Sequence, residues 1–179
     1  LLGDGTFGRV LEAHDSKHDR SVGIKVIRDV KRYVENAQIE ADILERVCQH
    51  ATSNKGQRRC VQMYGTFSMG KHYAMVFETL GLSLYDFLKG NNYQGFFLAD
   101  IQKIAKQCLE CLDFLHREMD LTHTDLKLEN LLFCHHEYER CQNPRNSRSE
   151  MKRVHNASIK VIDFGNATFA DEHHSSIIN

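Results

Sequence analysis

A short stretch near the centre of the chain carries side chains that suit joint action on a phosphate group. Residues 123–130 are His-Thr-Asp-Leu-Lys-Leu-Glu-Asn, which places Asp125, Lys127 and Asn130 close together. Polar groups at this density cannot all face an apolar core. They suit a rigid loop in which Asp125 accepts or orients a hydroxyl proton, Lys127 neutralises phosphate charge and Asn130 offers an oxygen to Mg²⁺. The alternative is a polar surface loop followed by a buried strand.

A second acidic position lies further along, in the sequence Asp-Phe-Gly at residues 163–165. The run 158–162 before it predicts a short strand that delivers Asp163 into the same cleft. Carboxylate oxygens are ligands that Mg²⁺ accepts in proteins. Asp163 and Asn130 are therefore the predicted metal ligands.

The chain begins with a glycine-rich motif, in which Gly3, Gly5 and Gly8 precede Val10. This spacing also occurs in dinucleotide-binding folds, where a helix must follow the last glycine. Here residues 10–13, a polar turn and residues 21–27 predict a strand, a turn and a second strand. The glycines therefore indicate a hairpin flap over phosphates. Lys25 on the second strand is predicted to reach those phosphates, the alternative being a solvated strand lysine.

A helical pattern follows over residues 34–47. Its predicted apolar stripe consists of Ile39, Ile43, Leu44 and Val47. Glu40 lies on the flank of this stripe, fifteen residues after Lys25, and is predicted to pair with it. Glu35 and Glu45 are the competing acidic positions.

Two strands, predicted over residues 60–67 and 72–77, lead to a segment that ends in Gly81 and resembles a hinge. Backbone groups of Glu78 and Leu80 in this segment suit hydrogen bonding to an adenine edge. From Ser83 the period becomes helical, with the longest helix predicted over residues 99–116. Its apolar stripe consists of Ile101, Ile104, Cys108, Leu109, Leu112 and Leu115. A stripe this wide needs a partner layer.

Composition narrows the remaining possibilities. The chain has 179 residues and a net charge of −1, which gives no electrostatic footprint for nucleic acid or an anionic membrane. No apolar run approaches the ~20 residues that span a bilayer, and no signal peptide leads the chain. Among six scattered cysteines, Cys108 and Cys111 fall inside the helical pattern, so buried reduced thiols are predicted here and not zinc ligands.

In combination these motifs resemble those of a eukaryotic protein kinase. Within that superfamily the chain resembles the LAMMER family of cyclin-dependent-kinase-like, dual-specificity enzymes. The marks are His123-Thr124-Asp125 in place of His-Arg-Asp, a long gap from Asp125 to Asp163, and Glu172-His173-His174-Ser175 in the tail. The resemblance covers essentially the whole chain.

The resemblance implies an α+β, bilobal protein-kinase-like fold. Its N-lobe would span residues 1–80, with an antiparallel β-sheet, the Gly-rich loop, one regulatory helix and the hinge. Residues 81–179 would form the first part of a mainly helical C-lobe, incomplete here. That part would carry the catalytic loop, a basic insertion at 134–157 and the start of the activation segment.

The resemblance also assigns roles to individual residues. Those placed around ATP are Leu2, Gly3, Gly5, Gly8, Val10, Gly23, Lys25, Phe77 as gatekeeper, Glu78, Leu80 and Leu132. Asp125 would be the catalytic base, Lys127 would steady the transferred phosphoryl, and Lys25 would form an ion pair with Glu40. Asn130 and Asp163 would bind Mg²⁺.

The implied activity is ATP-dependent phosphorylation of Ser and Thr, with Tyr in autophosphorylation. The implied substrates are arginine-serine-rich splicing factors, and the implied location is the nucleus, with the cytoplasm second. No direct contact with nucleic acid or membrane is expected, and the protein is expected to be a monomer. The alternative is a catalytically inactive kinase-like module that binds nucleotide or partners; a hydride-transfer enzyme is a distant third. Residues 1–179 alone are expected to be poorly soluble and inactive.

Several positions depart from the kinase pattern. Gly23 stands where Ala is usual, which removes apolar contact over the adenine worth roughly 0.8 kcal/mol. Leu128 replaces the usual Pro of the catalytic loop, so a fixed φ is lost and an N–H is gained. The insertion between 134 and 157 is polar and mildly basic, which predicts a surface hairpin or a mobile loop, with a plain solvated loop as the favoured alternative.

Overall fold

The computed structural model describes residues 1–50 and 55–170. Their N-terminal part is an antiparallel sheet in which five strands lie in the order β1-β2-β3-β5-β4. The strands are β1 (Gly3–Asp4), β2 (Gly8–Asp15), β3 (Arg20–Ile27), β4 (Met63–Met69) and β5 (His72–Glu78). β2 pairs directly with β3, so the strand, turn and strand predicted after the glycines are present. No helix follows the last glycine, which removes the dinucleotide-binding alternative.

Helix α1 (Lys31–Gln49) packs against this sheet. Its buried side chains are Ala37, Glu40, Ala41, Ile43, Leu44 and Val47. The prediction for Ile39 is wrong, because its side chain is 56% exposed. Positions 37, 40, 41, 44 and 47 repeat at helical spacing on the inner face, and position 39 lies off that face. Glu40, although acidic, is buried on this inner face because it forms an ion pair with Lys25 there.

A connecting strap, residues 55–62, joins the helix to β4. It contains one 3₁₀ turn at Gln57–Arg59. β4 begins at Met63, three residues later than the predicted start at Cys60, although Cys60 forms a parallel bridge with Val161. The sequence between α1 and this strap is polar and predicts a loop over residues 49–59, of which 51–54 lie outside the described residues.

The C-terminal part contains two helices and short paired strands. The helices are α2 (Leu84–Gly90) and α3 (Leu98–Glu118). The strands are β6 (Leu121–Thr122), β7 (Leu131–Phe133), β8 (Tyr138–Asn143), β9 (Asn146–Val154), β10 (Ile159–Val161) and β11 (Thr168–Phe169). They form three antiparallel pairs: β7 with β10, β6 with β11, and β8 with β9. α2 starts at a capping serine, since the Ser83 hydroxyl accepts a 2.9 Å hydrogen bond from the Asp86 N–H.

One apolar core runs through both parts of the described chain. Its fully buried large side chains include Leu44, Met75, Phe114, Phe133 and Phe164. These come from α1, β5, α3, β7 and the Asp-Phe-Gly segment. The segment that carries Asp163 is therefore anchored in the same core as the sheet.

Helix α3 buries only part of its predicted stripe. Ile104 and Leu115 are buried, and Cys108 and Leu112 are half-buried. Ile101 and Leu109 are 45% and 66% exposed, so for these two the stripe is open to solvent in the described chain.

The basic insertion forms a β-hairpin from β8 and β9, so the predicted surface hairpin is present and the favoured alternative of a plain solvated loop is wrong. Met151 and Val154 on β9 are buried. Asn91 fixes the hairpin from outside, since its amide donates to the Lys152 carbonyl at 3.0 Å and accepts from the Lys152 N–H at 2.7 Å. Arg153 adds a 3.1 Å ion pair with the buried Asp100. These contacts join residues far apart in sequence, which local composition does not reveal.

All six cysteines are reduced. Cys111 is fully buried, with its sulfur 3.6 Å from that of Cys60, and Cys108 is half-buried. Within the described residues, no helix has the length and apolar character to cross a membrane.

Candidate active site

The first feature of the site is a short ion pair between β3 and α1. Lys25 Nζ lies 2.6 Å from Glu40 Oε2, and the two side chains are 21% and 6% exposed. Lys25 pairs in register with Val10 on β2 and Met75 on β5, so its backbone is held on both sides. Burial without a partner would be costly for either charge, and each satisfies the other.

The glycine-rich flap lies near this pair, since Phe7, Lys25 and Glu40 line one cavity. At Gly8 an added Cβ would lie 2.2 Å from the Val26 carbonyl oxygen, so only glycine fits this close approach of backbones. Gly5 donates its N–H to the Gly8 carbonyl at 3.0 Å, which closes the turn at the tip. Phe7 packs edge-on against Tyr33 of α1 at 5.2 Å, so the flap also touches the helix that carries Glu40.

The apolar residues predicted around the adenine lie together at the end of the sheet. A Cβ built on Gly23 would contact Val10 Cγ1 at 3.7 Å, the Glu78 carbonyl at 3.8 Å and Leu2 Cδ1 at 3.9 Å. Phe77 is the register partner of Gly23 on β5.

Leu132 lies in β7, and on one side it forms an isolated antiparallel β-bridge with Ser83, just after the hinge. It pairs in register with Lys160 on the other. Gly81 completes the turn from the hinge by donating to the Phe133 carbonyl at 2.7 Å.

The catalytic-loop residues converge on Asp125. Lys127 Nζ lies 2.8 Å from Asp125 Oδ2. The Asn130 amide nitrogen donates to the Asp125 carbonyl at 2.9 Å and to Oδ2 at 3.3 Å. The Asn130 side chain is therefore oriented with its nitrogen toward Asp125.

Asp163 is held in place from both sides. The His123 ring, 1% exposed, has Nε2 2.9 Å from the Ile162 carbonyl and lies edge-on to Phe164 at 5.0 Å. Nδ1 of the same ring accepts from the Asp125 N–H at 3.3 Å, which makes Nε2 the protonated nitrogen. Asp163 and Thr124 both have positive φ, 64° and 62°, an uncommon conformation for residues other than glycine. Such strain is concentrated at functional sites.

Comparison with known proteins accounts for this arrangement. A model of the protein kinase domain family matches residues 1–178. The chain belongs to the protein kinase family. Dual specificity protein kinase CLK1 of Mus musculus is 44% identical over 179 residues, which make up 99% of this chain and 36% of that relative. Serine/threonine-protein kinase Doa of Drosophila melanogaster is 42% identical over 178 residues, 99% of this chain and 21% of that relative.

A plant relative and a solved structure agree. Serine/threonine-protein kinase AFC2 of Arabidopsis thaliana is 41% identical over 183 residues, with 99% of this chain and 42% of that relative covered. A crystal structure of a kinase domain superposes with a TM-score of 0.88 at 39% identity, and covers 99% of this chain and 52% of that one. The resemblance to LAMMER-type kinases and the predicted fold class are confirmed. The chain spans only between 21% and 42% of the length of these curated relatives.

The electrostatics of the kinase site favour a charged Lys127. Its hydrogen bond to Asp125, together with the charges of Asp125, Asp163 and Glu129, raises the pKa of the ammonium. The group therefore carries its positive charge throughout the physiological range. A fixed cation beside the acceptor position suits a transferring phosphoryl group.

The donor set fits Mg²⁺ with ATP. Among the described residues no group of three or more His, Cys, Asp or Glu could hold a metal by itself. Mg²⁺ is usually bound by one or two carboxylates plus substrate phosphates. Asp163 offers the carboxylate and Asn130 the amide oxygen, since the Asn130 nitrogen faces Asp125.

Two contacts at this site were not anticipated from the sequence. The Thr124 hydroxyl donates to the Asn166 carbonyl at 2.6 Å. The Glu78 carboxylate, of which only the backbone was assigned a role, binds Lys160 at 2.6 Å. Neither pair has a local sequence signal, because both join the segment around Asp163 to distant parts of the chain.

Proposed function

We propose that the protein transfers the γ-phosphoryl group of ATP to Ser and Thr hydroxyls of proteins, and to Tyr as a second acceptor. The observation that carries the proposal is the 2.6 Å contact between Lys25 and Glu40. In protein kinases this ion pair must be in place for transfer. Relatives named dual specificity and serine/threonine protein kinases support the same acceptors.

The nucleotide-binding part of the proposal uses the flap, Lys25 and the hinge. Gly8 permits the flap to approach the phosphates closely, and Lys25 binds them. Leu2, Val10 and Leu132 enclose the base, and backbone groups of the hinge bind its edge. ATP supplies the phosphoryl group and Mg²⁺ offsets charge on its oxygens, with Asn130 and Asp163 as the residues that hold the metal.

The acceptor side of the proposal uses Asp125 and Lys127. Asp125 orients the acceptor hydroxyl and takes its proton, while Lys127 stabilises negative charge on the phosphoryl oxygens. Asn130 keeps the Asp125 carboxylate in position through its amide nitrogen. Positioning and charge complementarity carry most of the catalysis in phosphoryl transfer.

Arginine-rich acceptors are the proposed substrate class. Asp86 on α2 and Glu129 in the catalytic loop are both exposed, and α2 packs against the turn that carries Glu129. The charges of both carboxylates reach Tyr85, whose pKa is raised first by a hydrogen bond with Tyr93 and further by Glu129 and Asp86. The exposed carboxylates of Asp86 and Glu129 favour acceptor peptides in which arginine guanidinium groups flank the serine. Arginine-serine-rich splicing factors, and hence a nuclear location, fit that preference.

The test is a phosphate-transfer assay on the full-length protein. We expect Mg²⁺ and ATP to support transfer to an arginine-serine repeat peptide, and slower transfer to a matched glutamate-serine peptide. Asp125→Asn serves as the inactive control. Nucleotide binding without transfer to any protein acceptor would instead identify an inactive kinase-like module.

A further inference from the structure

A second, half-buried ion pair lies at the hinge end of β5. Lys160 Nζ is 2.6 Å from Glu78 Oε1, and the side chains are 18% and 21% exposed. The same carboxylate oxygen accepts the Gln62 N–H at 2.7 Å. The Glu78 N–H in turn donates to the Gln62 carbonyl at 3.0 Å. Glu78, the last residue of β5, is thus clamped by the Lys160 cation and by two hydrogen bonds to the backbone of Gln62.

The strap residues join this clamp to β10. The Val61 N–H donates to the Val161 carbonyl at 2.9 Å, and Cys60 bridges Val161 in parallel. The hinge end of β5, the strap and β10 therefore meet around one carboxylate, that of Glu78. This is the place where the sheet meets the C-terminal part of the chain.

A rigid path leads from Lys160 to Asp163. Lys160 lies in β10, and strands rise about 3.3 Å per residue, so the two residues are roughly 10 Å apart along the chain. Ile162 between them is fixed at both ends of its peptide. Its N–H donates to the Asn130 carbonyl at 3.0 Å and its carbonyl bonds the His123 ring at 2.9 Å. Hydrogen-bonded peptide groups therefore connect the position of Lys160 to that of Asp163.

We propose that Glu78 and Lys160 are a positioning pair that fixes the hinge peptide relative to Asp163. The proposal rests on the proposed function, in which the hinge binds the adenine edge and Asp163 the metal on the phosphates. One ATP molecule must contact the hinge and the metal held by Asp163 at the same time. The relative placement of the hinge and Asp163 therefore sets the affinity for ATP. The pair is formed in the same structure as the Lys25–Glu40 pair, which the proposed function assigns to ATP binding.

The surroundings of the pair make it testable by substitution. A cavity of about 140 Å³ lies beside it, lined in part by Lys160, Gln62, Cys48 and Cys60. A polar cavity of this size has room for water. The Glu78 side chain is itself 21% exposed and keeps its hydrogen bond from the Gln62 N–H, so loss of Lys160 is expected to leave the fold intact.

The experiment compares five variants of the full-length protein. Lys160→Met removes the cation, Lys160→Arg keeps it, and Glu78→Gln removes the anion. The double variant Glu78→Gln/Lys160→Met removes both. Lys31→Met makes the same chemical change in an exposed ion pair of α1 and is the matched control.

We expect Lys160→Met to raise KM for ATP about tenfold, the scale of one charge-assisted hydrogen bond, with KM for the acceptor peptide unchanged. Lys160→Arg should restore KM for ATP to within about twofold. The double variant should be no worse than the more impaired single variant, because the two changes remove one interaction. Lys31→Met should match the wild type.

Unchanged KM for ATP in Lys160→Met would overturn the proposal, as would a faster rate. A fall in kcat alone that follows a lower melting temperature would also overturn it, since that result indicates a purely structural pair. Affinity for Mg²⁺ with ADP is measured in parallel by calorimetry. If the wild type shows no transfer, the proposed function fails, while weaker ADP binding in Lys160→Met still supports the positioning pair.

Discussion

The hydroxyl of Thr124 donates a 2.6 Å hydrogen bond to the carbonyl oxygen of Asn166. This contact ties the catalytic loop to the segment that follows Asp-Phe-Gly. Two neighbouring contacts continue it: Thr168 pairs with Thr122, and the Ala170 N–H donates to the Asp120 carbonyl at 2.8 Å. Kinases with arginine at position 124 can order this segment by pairing the guanidinium with a phosphate. Here a neutral hydroxyl makes the connection.

The first prediction is that activity does not depend on a phosphate docked at Thr124. Phosphatase treatment of the full-length protein should leave kcat nearly unchanged. Thr124→Val keeps the shape and removes the donor, and should lower kcat about five- to tenfold, the scale of one hydrogen bond. Thr124→Ser keeps the hydroxyl and should retain most activity. Phosphatase sensitivity in both the wild type and Thr124→Arg would contradict this account.

The second prediction separates the two acidic residues of the site. Asp125→Asn should lower kcat by orders of magnitude with little change in ATP affinity, because the proposed partner of this side chain is the acceptor hydroxyl and not the nucleotide. Asp163→Asn should weaken binding of ATP in the presence of Mg²⁺, because a metal-ligand charge is lost. Steady-state kinetics and nucleotide titrations of both variants, with and without Mg²⁺, provide the comparison. Equal loss of turnover and nucleotide affinity in Asp125→Asn would argue against its assigned role.

Local sequence patterns predicted the parts of this structure that depend on local rules. The pattern after the glycines gave two strands because apolar alternation and turn residues act over few positions. The spacing from Lys25 identified Glu40, although the helical stripe beside it was misplaced by including Ile39. Glu40 is a polar residue on the inner face of α1, so it interrupts the apolar pattern from which the stripe is read. Its burial is explained only by Lys25, which is its partner in space.

The contacts that the sequence did not reveal are long-range and involve ordinary polar residues. Asn91 holds the hairpin through Lys152, and Lys160 reaches Glu78 across the junction. Asn and Lys at such positions are equally consistent with a solvated surface. Their roles depend on which strands the topology brings together, and no periodicity encodes that.

The third prediction concerns thiol reactivity. Burial, and to a smaller extent the charge of Cys111, raises the pKa of the Cys108 thiol from 9.0 to about 11. At pH 8 its thiolate fraction is then about one in a thousand, against about one in ten for a thiol of pKa 9.0. Alkylation of Cys108 by iodoacetamide, followed by peptide mass spectrometry, should be about a hundredfold slower in the native protein than in urea. Because the pKa of Cys108 is higher in the folded than in the unfolded protein, the protonated thiol stabilises the fold. This contribution to the free energy of unfolding is complete below pH 9 and is lost as pH rises toward 11. Rapid labelling of Cys108 in the native protein at pH 8 would contradict the burial.

The last prediction compares two Gly→Ala substitutions in the proposed nucleotide-binding part of the sheet. At Gly23 a new methyl group would lie 3.7 to 3.9 Å from Val10, Glu78 and Leu2, which is ordinary van der Waals contact. Gly23→Ala should therefore stabilise the fold by about 0.5–1 kcal/mol through strand entropy. It should also tighten ATP binding up to about fourfold, from roughly 0.8 kcal/mol of added apolar contact.

Gly8→Ala is the matched control, because the same methyl group would lie 2.2 Å from the Val26 carbonyl oxygen. That clash is with backbone, which cannot rotate away, so the flap must shift and KM for ATP should rise. Thermal melts and ATP titrations of the two variants decide the matter. Weaker ATP binding in Gly23→Ala would show that the adenine does not lie against this part of β3.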